Sequence, residues 1–254
     1  MRSLPSWGSS SMRSWSCVRA LRTVSTMALT EQKSTLRKRI AEELKKLDLE
    51  EIEKQSAIVT KIVLQMKTYQ EAKSVAIFLS MPGREVSTRE IVLHALGEGK
   101  AVFVPYLHPG ETPKSKIMDM LQLQDKDDFQ SLKPDAWGIP SLSKDSVGRR
   151  RNALGGIGLS NDSLDNQQAS PTLDLILMPA VAFDQAHRRL GHGKGFYDRY
   201  LSKYKNALDS GSTARPMPVL VGIALRQQIL APGEYLPADE HDWTVDQFVV
   251  ADIE

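Results

Sequence analysis

Residues 175–200 read LILMPAVAFDQAHRRLGHGKGFYDRY, an apolar run that passes into a turn with three alternating glycines and then into a helical pattern. Leu175 to Met178 carry no polar alternation, which is the mark of a strand covered on both faces, as inside a parallel sheet. Gly191, Gly193 and Gly195 remove a Cβ at every second position. That opens positive φ and lets successive backbone N–H groups converge on one anion. Lys194 adds a mobile point charge, and a helix starting near Phe196 turns its N-terminus toward the same place, at the carboxyl edge of the sheet. The loop is neither a Walker loop nor the dinucleotide fingerprint: no Ser or Thr follows the lysine at the required spacing, and Lys194 and Phe196 break G-x-G-x-x-G.

The rest of the chain repeats the alternation. The runs Val75–Leu79, Ala101–Val104, Leu173–Met178 and Val219–Ala224 are near-continuously apolar, with helical patterns at 87–97 and 195–207 between them. The expected fold class is therefore α/β, a mainly parallel central sheet flanked by helices in a Rossmann-like three-layer architecture. Two amphipathic helices precede it. Leu36, Ile40, Leu44 and Leu47 recur at helical spacing from Lys33 to Leu47, and Ile52, Val59, Ile62, Val63 and Met66 do so between Glu50 and Tyr69. A wheel at 100° per residue puts Lys33 about 25° and Arg37 about 65° from the apolar centre near Ile40, facing the body, whereas Lys38, Lys45 and Lys46 fall roughly 115° or more away. Two inward cations and a glycine loop point to phosphate. Asp198, directly after the loop, and the acidic stretch 239–246 (DEHDWTVD) supply carboxylates that could hold Mg²⁺ beside it.

With 254 residues, 41% hydrophobic and 25% charged, the composition fits one catalytic domain, expected over 31–254. A formal charge of +2 is too small for bulk nucleic-acid affinity. No apolar run approaches the roughly 18–20 residues that span a membrane. Residues 1–30 carry Arg2, Arg13, Arg19 and Arg22, eight serines and no Asp or Glu, the composition of an organelle transit peptide or a disordered segment. Mitochondrial import is expected, with a cytosolic form from an internal start at Met27. Cleavage would remove Cys17, the only cysteine, and with it any thiolate chemistry. Residues 141–172, rich in Ser, Asn, Gly and Gln without periodicity, are expected to be a disordered insertion, with Arg149, Arg150 and Arg151 as a solvated run.

RLGHGKGFYDRYL, together with KSTLR at 33–37, FLSMPGRE at 78–85, WGIP at 137–140 and HDWTVD at 241–246, resembles the 5-formyltetrahydrofolate cyclo-ligase family, also called 5,10-methenyltetrahydrofolate synthetases. The resemblance runs in consistent order from about residue 31 to the C-terminus. It implies an ATP-dependent ring closure in which the formyl oxygen takes the γ-phosphoryl group, N10 attacks the activated carbon, and phosphate leaves. Carried over position by position, it implies that Lys33, Ser34, Thr35, Leu36, Arg37 and the segment Arg189, Leu190, Gly191, His192, Gly193, Lys194, Gly195, Phe196 and Tyr197 bind ATP. Lys194 would lie nearest the transferring phosphoryl, and Arg189 and Tyr197 would act with it. Asp198 and Asp242 would hold Mg²⁺. Leu79, Glu85 and 192–196 would meet the folate, with Met118, Met120 and Trp137 as apolar cover for its rings. The expected partner is 5-formyltetrahydrofolate, including polyglutamated forms, with no nucleic acid and no membrane, and the enzyme is expected to be a monomer. Two other functions fit parts of the pattern: a sugar-phosphate isomerase or CoA transferase on a related sheet, and a non-catalytic nucleic-acid binder on a cyclo-ligase-like domain. The first would need neither KSTLR nor two metal-binding carboxylates; against the second stand the low net charge and the lack of an RNP-type aromatic motif.

Overall fold

The computed structural model describes residues 12–110, 112, 115–159, 172–210, 215–239 and 241–251, with side chains from Met27 onward. In chain order the elements are α1 (Met12–Leu44), α2 (Leu49–Gln65), α3 (Lys67–Glu71), β1 (Ser74–Ile77), α4 (Arg89–Gly97), β2 (Ala101–Pro109), β3 (Lys116–Gln122), α5 (Lys126–Gln130), β4 (Lys133–Pro134), β5 (Pro140–Ser141), α6 (Lys144–Val147), β6 (Leu175–Met178), β7 (Ala182–Phe183), β8 (Arg189–Leu190), α7 (Phe196–Ser210), β9 (Val219–Ala224) and β10 (Gln247–Val250). Six strands form one sheet in the order β10-β9-β6-β1-β2-β3, parallel except for β3, which runs antiparallel to β2 at one edge.

The unbroken apolar runs follow from burial on both faces. Val75, Ile77, Leu175, Leu177, Val221 and Ile223 point to one side and pack with Ile52, Val59 and Val63 of α2 and Ile91, Val92 and Ala95 of α4. Their neighbours Ala76, Ile176, Met178, Leu220 and Ala224 point to the other side, against Tyr200, Leu201 and Tyr204 of α7. Period-2 geometry forces this division, so a strand between two helical layers has no position left for a polar residue. A third cluster seats α1: Ile40 packs on Val181, Ala182, Leu190, Leu230 and Leu236, with Leu36 and Leu44 at its margin. That contact brings the first helix beside the glycine loop. Lys38, Lys45 and Lys46 face outward.

Two expectations are corrected here. Residues 141–159 are not a disordered insertion. The Arg150 guanidinium, buried, makes paired bonds of 2.7 Å with both oxygens of Asp128 and a 2.9 Å bond to the Gln122 carbonyl. Hydrogen bonding to Arg150 holds the Asp128 carboxyl below its ordinary range. Asn152 closes the glycine turn by donating to the Gly158 carbonyl, Arg151 bridges Ile157, and Asn152 bridges Leu121 of β3. The segment thus pairs with the sheet's edge strand, and Arg150 is its anchor rather than part of a solvated run. Burial of Leu142, Val147, Ala153 and Leu154 works together with this bidentate ion pair to order a segment whose polar composition argues against it. Residues 160–171 of the expected insertion lie outside the described residues, as do residues 1–11 of the N-terminal segment. The backbone of α1 begins at Met12, within that segment. Among the described residues no helix is long and apolar enough to cross a membrane.

Candidate active site

After β6 the chain makes the small antiparallel hairpin β7–β8, which ends at Arg189 and Leu190 and delivers the glycine loop directly under α1. Arg37 reaches down from α1 and its Nε donates to the Gly191 carbonyl at 2.8 Å. Gly193 has φ +83°, and a Cβ there would lie 3.2 Å from the Arg37 guanidinium carbon. The positive φ favours glycine at that position, and any side chain there would also have to push the Arg37 guanidinium aside by a few tenths of an ångström. Gly195, φ +59°, makes the turn into α7, whose Arg199 N–H bonds the Gly195 carbonyl.

Two ion pairs frame the loop. The Lys33 ammonium lies 2.5 Å from Asp242 Oδ2 and 3.3 Å from Asp239 Oδ2, half-buried. Arg189, with a side chain only 4% exposed, holds Asp198 Oδ1 at 2.8 Å, and the Trp243 N–H donates to the same oxygen at 3.3 Å. The Arg189 guanidinium also lies over the Tyr197 ring, 5.5 Å from its centre. Arg189 Nε and the Tyr197 hydroxyl are buried without a hydrogen-bond partner among the described residues. Lys194 is exposed, its ammonium unpaired among those residues. Burial works against the charge on Arg37, with Asp242 opposing that effect. Burial, then Arg37 and Arg189, lower the His192 imidazole below its ordinary value, so it is neutral at pH 7.

Beside the loop opens a cavity of about 380 Å³ lined by Arg37, Leu44, Arg84, Glu85, Trp137, His192 and Gln228, among others. Glu85 Oε1 accepts the Met81 N–H at 2.6 Å, yet burial outweighs that bond and raises the carboxyl to about 7. Burial also pushes the Tyr197 phenol up; Arg189 pulls it back and Glu85 adds to the rise, so Tyr197 and Glu85 share this region. Trp137, 69% exposed, sits at the tip between β4 and β5, where Asp135 Oδ1 accepts its N–H and that of Ile139. A volume of this size suits a drug-sized heterocyclic ligand, and its lining mixes apolar walls with a few polar groups.

Lys33, Arg37, Glu85, Trp137, Asp198, Asp242 and residues 189–197 thus lie around one centre. Ser34 and Thr35 are exposed on α1. Thr35 and Leu36 line a more open hollow of about 600 Å³ with Glu31, Gln32, Tyr235, Leu236 and Pro237. Leu79 is buried with Phe78 and Val86. Met118 and Met120 are a correction: they are 5% and 1% exposed in the core between the sheet and α7, not on the cavity wall. They sit on the antiparallel edge strand, where the pleat turns both to the helix side. Asp239 and Gln228 were not singled out. Asp239 stood in the acidic stretch as a second partner for Lys33; Gln228, whose Nε2 donates to the Ala180 carbonyl at 2.5 Å, carried no signal in the sequence.

Among the described residues no group of three or more His, Cys, Asp or Glu could hold a metal by itself. The two carboxylates still fit Mg²⁺. Asp198 commits Oδ1 to Arg189 and Trp243, and Asp242 commits Oδ2 to Lys33 and the Asp239 N–H, so each retains one oxygen. One or two carboxylates plus substrate phosphates is the usual protein share of a Mg²⁺ shell.

The sequence model of the 5-formyltetrahydrofolate cyclo-ligase family matches residues 29–251. A Schizosaccharomyces pombe protein named as a probable 5-formyltetrahydrofolate cyclo-ligase is 35% identical over 86% of this chain and 94% of its own length. An Arabidopsis thaliana relative, 26% identical over 87% of this chain and 75% of its own, is named a mitochondrial 5-formyltetrahydrofolate cyclo-ligase. Among solved structures, the Aquifex aeolicus 5,10-methenyltetrahydrofolate synthetase superposes with a TM-score of 0.56 at 25% identity, covering 86% of this chain and 88% of that one.

Proposed function

The chain belongs to the 5-formyltetrahydrofolate cyclo-ligase family, and from that premise we propose how its residues close the ring of 5-formyltetrahydrofolate to give 5,10-methenyltetrahydrofolate. It is an enzyme, a ligase that forms a C–N bond. The observation that carries the residue assignment is the meeting of α1 with the glycine loop: Arg37 on Gly191, and Lys33 on Asp242, next to a cavity that contains Glu85 and Trp137.

In this reading ATP is the co-substrate. Lys33, Arg37 and the N–H groups of 191–195 orient its polyphosphate, and Lys194 meets the γ-phosphoryl as charge moves onto the bridging oxygen. Phosphoryl transfer asks little covalent chemistry of a protein and much positioning of charge. The folate rings lie in the cavity under Trp137, which brings the formyl oxygen to the mouth of the loop. Asp198 and Asp242 would hold Mg²⁺, which supplies neutralisation of the phosphate oxygens. Arg189 pairs with Asp198 and stacks on Tyr197, so one guanidinium positions both the carboxylate and the ring. The formyl oxygen attacks the γ-phosphorus and ADP leaves; N10 then attacks the activated carbon, and phosphate departs as the five-membered ring forms.

ATP with Mg²⁺ at about 100 times its Kd should stabilise the fold by about 2.7 kcal/mol. At roughly 2–4 °C per kcal/mol for a domain of this size, that is a rise in Tm of about 5–10 °C. A reduced folate should give a separate rise. A shift with CoA, a sugar phosphate or RNA and none with ATP would reverse the assignment.

The N-terminal composition and the name of the Arabidopsis relative support mitochondrial import of this chain. Expressed without residues 1–26, the protein should move to the cytosol and keep its turnover. Unchanged location in cell fractionation would end the import reading.

A further inference from the structure

The Glu85 carboxyl is held at one oxygen by the Met81 N–H, is withdrawn from solvent, and lines the cavity together with Arg37, Trp137 and His192. A carboxyl fixed at one oxygen offers the other to whatever fills the cavity. The Tyr197 hydroxyl, buried without a partner, marks the same region as one completed by a polar ligand, because an unmade hydrogen bond there costs about 1–3 kcal/mol. Ring closure requires a proton to leave in this place. N10 is a secondary amine, and once it has bonded to the activated carbon it must lose its hydrogen before its lone pair can join the amidinium product.

We propose that Glu85 is the base that takes the N10 proton. This rests on the reading of the cavity as the folate site. The step balances: N10 forms its bond to the formyl-derived carbon as the C=N5 π pair moves onto N5; the N10–H electrons remain on N10 while the proton passes to the Glu85 carboxylate. The N5 lone pair then expels phosphate as the C–O bond breaks. The proton leaves to solvent with product. No oxidant or further reactant is needed.

The charged and titratable groups around Glu85 are Arg84 beside it, Arg37 from α1, His192 from the loop and Tyr197 from α7, while Lys45, which also lines the cavity, is solvent-exposed and paired with Glu42. Burial opposes the carboxylate and outweighs the Met81 hydrogen bond, which leaves the carboxyl near 7, where a base for an amine-derived proton works best. His192 also lines this cavity and is the other group that could accept the proton, so the test must separate the two.

The experiment is single-turnover kinetics with 5-formyltetrahydrofolate, ATP and Mg²⁺, following ADP and the methenyl product separately across pH 5.5–8.5. The wild type should lose ring closure below about pH 7 with unit slope, because the base must be ionised. Glu85→Gln keeps the acceptor for Met81; it should release one equivalent of ADP per site at near-normal rate while methenyl product forms roughly 10²–10³-fold more slowly, with the acid limb gone. Glu85→Asp should retain the limb at reduced rate, and His192→Gln should retain it too. Equal loss of ADP and methenyl formation in a folded Glu85→Gln would place Glu85 in binding or phosphoryl transfer and overturn the proposal. So would an acid limb that survives in Glu85→Gln and vanishes in His192→Gln. A wild type that forms no ADP with this substrate would sink the folate reading itself, a different result from either.

Discussion

Lys194→Ala is expected to lower kcat by roughly 10²–10³, about 3–4 kcal/mol, with Tm unchanged. Lys194 is exposed and unpaired among the described residues, so its removal breaks no contact of the fold. Its worth lies in an interaction that strengthens as the γ-phosphoryl transfers, and an interaction stronger in the transition state than in the ground state appears in kcat. Lys33 provides the contrast. Its ammonium is already committed to Asp242 and Asp239, so it meets phosphates as a peripheral charge. Lys33→Ala should chiefly raise the KM for ATP, by roughly tenfold for the loss of one charge-assisted bond of about 1.5 kcal/mol. Steady-state kinetics on the pair distinguishes the roles: a Lys194→Ala enzyme with normal kcat and only a raised KM would show that the loop anchors nucleotide and does no more.

The second large effect is structural and catalytic together. Arg189→Ala removes a guanidinium that is 4% exposed and leaves the Asp198 carboxylate, 22% exposed, without its cation and Tyr197 without the group stacked on its ring. Breaking such a pair from one side costs about 3–5 kcal/mol, because the remaining charge stays desolvated. At roughly 2–4 °C per kcal/mol, Tm should fall by on the order of 10 °C. Turnover measured well below the new Tm should also be lost, since Asp198 no longer has a fixed orientation. A melting temperature within a degree or two of wild type would mean that the pair contributes nothing to the fold.

The layers of the fold were legible because burial on both faces writes itself into strands such as 175–178 and 219–224 as apolar runs without alternation. The orientation of α1 was legible for a related reason: one stripe centred on Ile40 leaves only Lys33 and Arg37 among the early cations facing the body. What the sequence concealed depends on contacts between distant segments. Arg150 reads as one of three loop arginines until Asp128 is found across from it, 22 residues away. β3 carries Asp119 and Gln122 within its apolar pattern and reads poorly as a strand; it takes its place by pairing with β2 and with the bridge at Asn152. Met118 and Met120 were assigned to the substrate by resemblance alone, and nothing local separates a methionine in a core from one on a cavity wall. Gln228 reaches the cavity from a short 3₁₀ turn, Arg226–Gln228, that shows no periodicity.

The account stands most directly on turnover. Purified protein mixed with 5-formyltetrahydrofolate, ATP and Mg²⁺ should produce the methenyl absorbance and ADP in equal amounts, and neither should form when ATP is left out or when 5-formyltetrahydrofolate is replaced by tetrahydrofolate. Methenyl product without ADP, or ADP released at the same rate with no folate present, would contradict it.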